Sequence, residues 1–91
     1  MIEAVYDNDA LTLTLSGHAD YAPRGQDIVC AGVSTLVYTL INSCRCEING
    51  ETVRVKDDRR VFDAVLCGLG MISKKFPKNL RVVPYRTDVR L

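Results

Sequence analysis

Two residues that can carry out nucleophilic chemistry stand close together in the first third of the chain. His18 is the only histidine, and Cys30 lies just inside the start of a predicted helix. A thiolate can attack a carbonyl carbon, and an imidazole can take the thiol proton and later donate a proton to a leaving amine. The pair is typical of a cysteine hydrolase, although a packed cysteine and a surface histidine remain the alternative from spacing alone.

The predicted helix start favours a reactive thiol. Asp27 is the expected N-cap, so Cys30 becomes the third helical residue, close to the free N–H groups and the positive end of the helix dipole. Those N–H groups, including that of Cys30, can also stabilise an oxyanion. Two roles stay open for Asp27, cap or orienter of His18, and we favour the cap. Ser34, one turn beyond Cys30, can hydrogen-bond the sulfur, a substrate carbonyl or its own helix.

Periodicity predicts the elements that position these residues. Residues 2–6 and 11–16 alternate as strands, and residues 19–26 form a loop. The first helix follows Asp27 with an apolar stripe, a hairpin turns at Asn49-Gly50, and a second helix runs from a cap at Asp57 or Asp58 to about Lys75. Residues 80–85 form an edge strand that contains Pro84, and residues 86–91 form a tail.

This order, β-β-α-β-β-α-β, predicts a single α+β domain over residues 1–91. We expect a two-layer sandwich in which two helices cover one face of a mostly antiparallel sheet of about five strands. The predicted stripe of the first helix includes Val29, Val33, Leu40 and Cys44, and that of the second includes Val61, Val65 and Leu69.

Composition restricts the class of protein. The chain is 47% hydrophobic and 25% charged with a net charge of +1, which is ordinary for a globular domain and provides no field for nucleic acid. No signal peptide or membrane span is visible, so we expect a cytoplasmic protein. Acidic residues prevail before residue 54 and basic ones after it. We favour an ordinary solvated surface over an electrostatic handle for a partner.

The four cysteines are expected to be reduced. Cys30, Cys44 and Cys67 fall in helix-like runs, where a thiol serves as a small apolar side chain. Cys44 and Cys46 form a C-x-C pair that raises a zinc site as an alternative, but this spacing is tighter than usual and no second pair follows. We therefore predict no metal and no other cofactor.

The stretch GHADYAPRGQDIVCAGVS, residues 17–34, resembles the signature of the ribosomal-processing cysteine protease Prp family. In that family a Gly-His at a strand end precedes an Asp-Ile-Val-Cys-Ala helix start. The pattern is met by Gly17, His18, Ala19, Tyr21, Ala22, Gly25, Asp27, Ile28, Val29, Cys30, Ala31, Val33 and Ser34. Outside this stretch the order of elements fits, without a further motif.

The resemblance implies a metal-free, cytoplasmic, homodimeric cysteine endopeptidase. It would remove the N-terminal extension of large-subunit ribosomal protein twenty-seven, or process a phage capsid or scaffold protein. Cys30 is then the nucleophile and His18 the general base and acid, with Asp27, Ser34 and Gly17 in support. The segment that covers a bound peptide would be Ala19, Asp20, Tyr21, Ala22, Pro23, Arg24, Gly25 and Gln26.

The chain departs from the family pattern at two places. Asp20 stands where glycine is common in the family, and the region after the first helix is compact. Both departures lie in segments that we expect to help bind the peptide. A non-catalytic peptide- or ribosome-binding module, recruited through the basic second half, is the alternative function.

Overall fold

The computed structural model describes residues 1–23 and 27–85 of the 91-residue chain. Their elements follow the predicted order β-β-α-β-β-α-β. In chain order they are β1 (Ile2–Asp7), β2 (Thr12–Ser16), α1 (Ile28–Ser43), β3 (Cys46–Asn49), β4 (Thr52–Val55), α2 (Arg59–Lys75) and β5 (Leu80–Pro84). The predicted tail at 86–91 lies outside the described residues.

The strands form one mixed sheet in the order β3-β4-β2-β1-β5. The β1–β2, β2–β4 and β3–β4 pairs are antiparallel, and β1 and β5 run parallel. The predicted mostly antiparallel sheet is therefore confirmed. β5 lies at an edge, as expected for a strand that ends in Pro84, which has no N–H to donate.

The core lies between one face of the sheet and both helices. Ala4, Leu13 and Leu80 from the strands are fully buried, as are Leu40 of α1 and Leu69 of α2. All five belong to one cluster of buried side chains. A single cluster shared by the two helices and the strands confirms the predicted two-layer arrangement. Burying each leucine contributes about 1.5–3 kcal/mol to folding.

The opposite face of the sheet carries polar side chains. The hydroxyls of Thr14 and Thr52 lie 2.8 Å apart across the β2–β4 pair. Arg54 lies 3.6 Å from Glu47 on the neighbouring strand, and both side chains are more than half exposed. Exposed pairs of this kind add less than about 1 kcal/mol. The alternation of leucine with threonine in residues 11–16 thus corresponds to one buried and one solvated face of the sheet.

The predicted hairpin is confirmed, but its turn lies one residue later and belongs to another type. Asn49, the last residue of β3, pairs with Thr52, the first residue of β4, so Gly50 and Glu51 are the central residues of the turn. Gly50 has a φ of +61°, whereas Asn49 and Glu51 do not have positive φ. A positive φ at the first central position alone is the pattern of a type II′ turn, not of the type I′ turn that Asn-Gly predicts.

The helices differ from the prediction at their ends and in one stripe. Helix α1 ends at Ser43, and Cys44 is its extended C-cap, still packed against the core. Asp58, not Asp57, caps α2 by accepting the N–H of Val61 at 3.1 Å. The α2 stripe omitted Phe62, which is 1% exposed and more deeply buried than Val61. No helix among residues 1–23 and 27–85 is long and apolar enough to cross a membrane.

Candidate active site

His18 and Cys30 line one cleft of about 640 Å³ at the N-terminal end of α1. His18 is exposed just after β2, whereas Cys30 is half-buried in the first turn of α1 and contacts the core. The remaining lining side chains come from the loop and from the same flank of the helix, and they are Ala19, Asp20, Ala22, Asp27, Ala31 and Ser34. A base, a thiol and a helix start thus share one solvent-accessible space.

Asp27 serves the backbone. Its Oδ1 accepts the N–H of Cys30 at 2.9 Å, and its Oδ2 accepts the N–H of Tyr21 at 3.0 Å. These hydrogen bonds, that from Cys30 first, lower the pKa of Asp27 below its ordinary value of 3.8. Both oxygens are thereby engaged by main-chain donors, so Asp27 is a helix cap that also holds the loop at Tyr21.

This cap changes the expected source of oxyanion stabilisation. The N–H of Cys30 points to Asp27 Oδ1, and the N–H of Ala31 donates to the Asp27 carbonyl at 3.1 Å. Neither group is free to bind an oxyanion in this conformation. The role of the Cys30 N–H as an oxyanion donor stays a prediction, since here the capping carboxylate accepts that N–H.

Replacing Asp27 with alanine is expected to lower the free energy of unfolding and also any activity of the Cys30 cleft, because it frees both the helix start and Tyr21. Asp58→Ala is the matched control: it removes the equivalent cap of α2, away from the cleft. It should cost a similar free energy with unchanged activity. Equal loss of activity in the two variants would contradict a local role for Asp27.

The same cap predicts a stability change at acid pH. Since folding lowers the pKa of Asp27, its contribution is present above the ordinary value of 3.8 and is lost as the pH falls through the lower folded value. Asp27→Asn should therefore show a shallower loss of stability than the wild type below about pH 4. Chemical denaturation at several pH values checks this; identical slopes would refute it.

Gly17 gives His18 its position. It follows β2 with a φ of +85°, and a Cβ at this position would overlap the carbonyl oxygen of Met1. Only glycine lets the chain turn this tightly beside the start of β1. Asp20 has a φ of +54°, in the left-handed region that favours glycine, and its Oδ2 lies 3.5 Å from the Met1 nitrogen. The departure at Asp20 thus places an L-residue in the left-handed region.

The described part of the predicted covering loop is attached to the rest of the domain. Ala19 is 1% exposed, and its carbonyl accepts the Nδ2–H of Asn79 at 2.9 Å. The ring of Tyr21 meets Phe76 edge-on at a centroid distance of 5.3 Å, outside the cleft. Pro23 is exposed and does not line the cleft. The predicted residues Arg24, Gly25 and Gln26 lie outside the described residues.

Asn79 and Phe76 were not predicted to contribute to the site. Both lie between α2 and β5, about sixty residues beyond the loop that they hold. No local pattern marks them, because their role depends on the parallel pairing of β1 with β5. The asparagine in the short α2–β5 connection was only a weak indication that this segment contacts the loop.

The remaining cysteines lie away from the cleft. The Sγ atoms of Cys44 and Cys46 are 3.7 Å apart, and both approach the carbonyl of Leu40. Cys67 lies in α2, as the sequence predicts, and is exposed. Within the described part of the chain, no three His, Cys, Asp or Glu side chains converge as a metal site.

Cys44 is expected to resist alkylation. Burial, with the neighbouring Cys46 thiol, raises the pKa of Cys44 from 9.0 to about 11. At pH 8 it then has about a hundredfold less thiolate than an ordinary thiol, so iodoacetamide should modify the exposed Cys67 before Cys44. Peptide mass mapping over time checks the order. The raised pKa also means that its stabilisation is full below pH 9.0 and lost as the pH approaches 11. Modification of Cys44 as fast as Cys67 would contradict the predicted order of alkylation.

Comparison with known proteins defines the class. A family model described as cysteine protease Prp matches residues 1–81, which is most of the chain. The chain therefore belongs to the cysteine protease Prp family, as the motif of residues 17–34 indicated.

One characterised relative matches part of the chain. It is the ribosomal processing cysteine protease Prp of Bacillus subtilis (strain 168), which is 40% identical over 42 residues. The matched segment covers 46% of this chain and 38% of the relative, so it spans less than half of either protein.

Solved structures share the fold over nearly the whole chain. Two are of the essential ribosomal processing protease Prp from S. aureus. The complex with a covalently linked product peptide has a TM-score of 0.69 at 23% identity and covers 92% of this chain and 97% of that one. The complex with a substrate peptide has a TM-score of 0.69 at 24% identity, covering 93% and 100%. SMU.848 from Streptococcus mutans has a TM-score of 0.64 at 23% identity, covering 93% and 96%.

Proposed function

We propose that this chain is a cysteine endopeptidase in which Cys30 is the nucleophile and His18 is the general base and acid. The observation that carries the proposal is the single cleft that both side chains line, at the start of a capped helix. Cys30 is half-buried in the first turn of α1, where its side chain is accessible from this cleft. Membership of the cysteine protease Prp family supports the same assignment.

The reaction proceeds in two halves. His18 takes the Cys30 proton, the sulfur bonds to the peptide carbonyl carbon, and the C–N bond breaks as His18 donates that proton to the leaving amine. Water then gives a proton to His18 and attacks the thioester. The C–S bond breaks, the sulfur recovers the proton, and the new carboxyl terminus leaves. Neither half requires a metal or an organic cofactor.

The substrate in this proposal is a peptide segment of a ribosomal protein, namely the N-terminal extension of large-subunit ribosomal protein twenty-seven. The motif of residues 17–34 supports it, as do the ribosomal processing role in the relatives' names and the peptides bound to the S. aureus protein. A phage capsid or scaffold protein is the other candidate. The enzyme would act in the cytoplasm as a homodimer, without binding nucleic acid or membrane directly.

Cleavage of a full-length precursor tests the proposal. The purified protein is incubated with ribosomal protein twenty-seven that carries its N-terminal extension, and the new N-terminus is identified by mass spectrometry. We expect one cut, absent with Cys30→Ala. A cut only in a capsid or scaffold protein would replace the substrate but keep the chemistry. Tight binding of the precursor with no cut, unchanged by Cys30→Ala, would favour the non-catalytic binding module.

A further inference from the structure

A second cavity continues the catalytic cleft along α1. It measures about 320 Å³ and shares His18 and Ser34 with the cleft that holds Cys30. Its other lining residues come from β1, the end of β2, α1 and the β3–β4 turn, and they are Ile2, Leu15, Ser16, Gly17, Val33, Val37, Tyr38 and Glu51. Because two lining residues are common to both spaces, the cavities adjoin, and we treat them as one groove that runs from Cys30 toward Tyr38 and Glu51.

The length of this groove fixes which substrate residue reaches its end. Cys30, Ser34 and Tyr38 are spaced four residues apart and follow one flank of α1. Eight helical residues at about 1.5 Å each give a path of ~12 Å. An extended peptide advances ~3.3 Å per residue. A substrate residue about three or four positions from the cleaved bond therefore lies beside Tyr38.

The chemistry of the second cavity suits a long cationic side chain. Leu15, Val33 and Val37 provide an apolar wall, along which the methylenes of lysine or arginine can pack. Glu51 is the acidic residue among the described lining residues, and the Tyr38 side chain is 65% exposed. A carboxylate and an accessible aromatic ring at the end of an apolar channel attract a cation by charge and by cation–π contact.

We propose that Glu51 and Tyr38 select a lysine or arginine about three or four residues from the scissile bond. The proposal rests on the proposed peptidase function and adds a substrate preference to it. Glu51 and Tyr38 are specificity residues, remote from the reacting atoms. The tight Gly50–Glu51 turn brings the carboxylate to this groove, which gives the compact hairpin a role in substrate selection.

Cleavage profiling with a defined mixture of synthetic peptides tests this preference. Products are sequenced by mass spectrometry, aligned on each cut bond, and counted only where Cys30→Ala makes no cut. We expect lysine or arginine to be enriched at the third or fourth position on one side of the bond. For a cleaved peptide, exchanging that residue for norleucine should lower kcat/KM roughly three- to tenfold.

Three variants and a control make the test decisive. Glu51→Gln and Tyr38→Leu should each weaken the preference, and Glu51→Lys should reverse it toward acidic residues. Glu47→Gln is the control, since Glu47 lies in the same hairpin on the opposite face of the sheet and outside this groove. Cuts with no basic preference, or a preference that survives Glu51→Lys, would overturn this proposal alone. Failure to find any cut that depends on Cys30 would overturn the peptidase function as well.

Discussion

Replacing His18 with alanine is expected to lower kcat/KM by roughly 10²–10⁴-fold, the usual contribution of a positioned general acid and base. The free energy of unfolding should change by less than about 0.5 kcal/mol, because the His18 side chain is exposed and outside the core. Steady-state cleavage of the precursor and chemical denaturation of the same preparation measure both quantities.

Cysteine variants provide the controls for the His18 experiment. Cys30→Ala should remove activity completely, since no nucleophile remains. Cys67→Ala alters an exposed thiol on α2, on which the proposed reaction does not depend, and should retain full activity. If His18→Ala retained most of the wild-type rate while Cys30→Ala had none, another group would have to be the base, and the assignment of His18 would be wrong.

The second large effect is expected from Gly17→Ala, which should lower both stability and activity. Two costs add at this position: an L-residue at a φ of +85°, and overlap of the new Cβ with the Met1 carbonyl oxygen. The first costs about 1–2 kcal/mol. The second forces the backbone itself to shift, so the total should reach about 3 kcal/mol or more, a fall in Tm of at least ~12 °C.

Gly50→Ala separates the two costs. Gly50 also has a positive φ, of +61°, but a Cβ there meets no atom within 4 Å. This variant should therefore lose only the conformational cost of about 1–2 kcal/mol. Because Gly17 precedes His18 directly, its variant should also lose activity under conditions where it is folded. Equal Tm values for the two variants would show that the Met1 carbonyl does not restrict which residue can stand at position 17.

Local patterns were sufficient to predict most of the fold. Alternation in residues 11–16 predicted β2. Asp27 predicted the start of α1, and the Asp57-Asp58 pair predicted that of α2 to within one residue, because capping depends on the neighbouring backbone alone. The hairpin was predicted at the right place with the wrong turn, since strand register, not the Asn-Gly pair, sets which residues are central. Phe62 was missed because the burial of a helix face depends on the angle at which α2 crosses the sheet.

The candidate site was also predictable only where local patterns determine it. The sequence predicts that His18, Cys30, Asp27 and Ser34 lie together, and the structure places all four around one cleft. The contacts that hold the loop could not be predicted, because Asn79 meets Ala19 only after β5 has paired with β1. The engagement of the Cys30 N–H by Asp27 likewise depends on side-chain geometry that spacing does not contain.

The position of Asn79 links assembly of the cleft to the order in which the chain is synthesised. Its carbonyl accepts the N–H of Ile2, its side chain donates to Ala19, and Leu80 beside it pairs with Ile2 in the parallel β1–β5 ladder. Closing so long a loop is a slow, non-local step in folding. While β5 is still inside the ribosome, the nascent chain lacks the Asn79 hydrogen bond that holds the segment after His18. The contacts that hold the segment after His18 can therefore form only after translation has passed Asn79 and β5 has paired with β1.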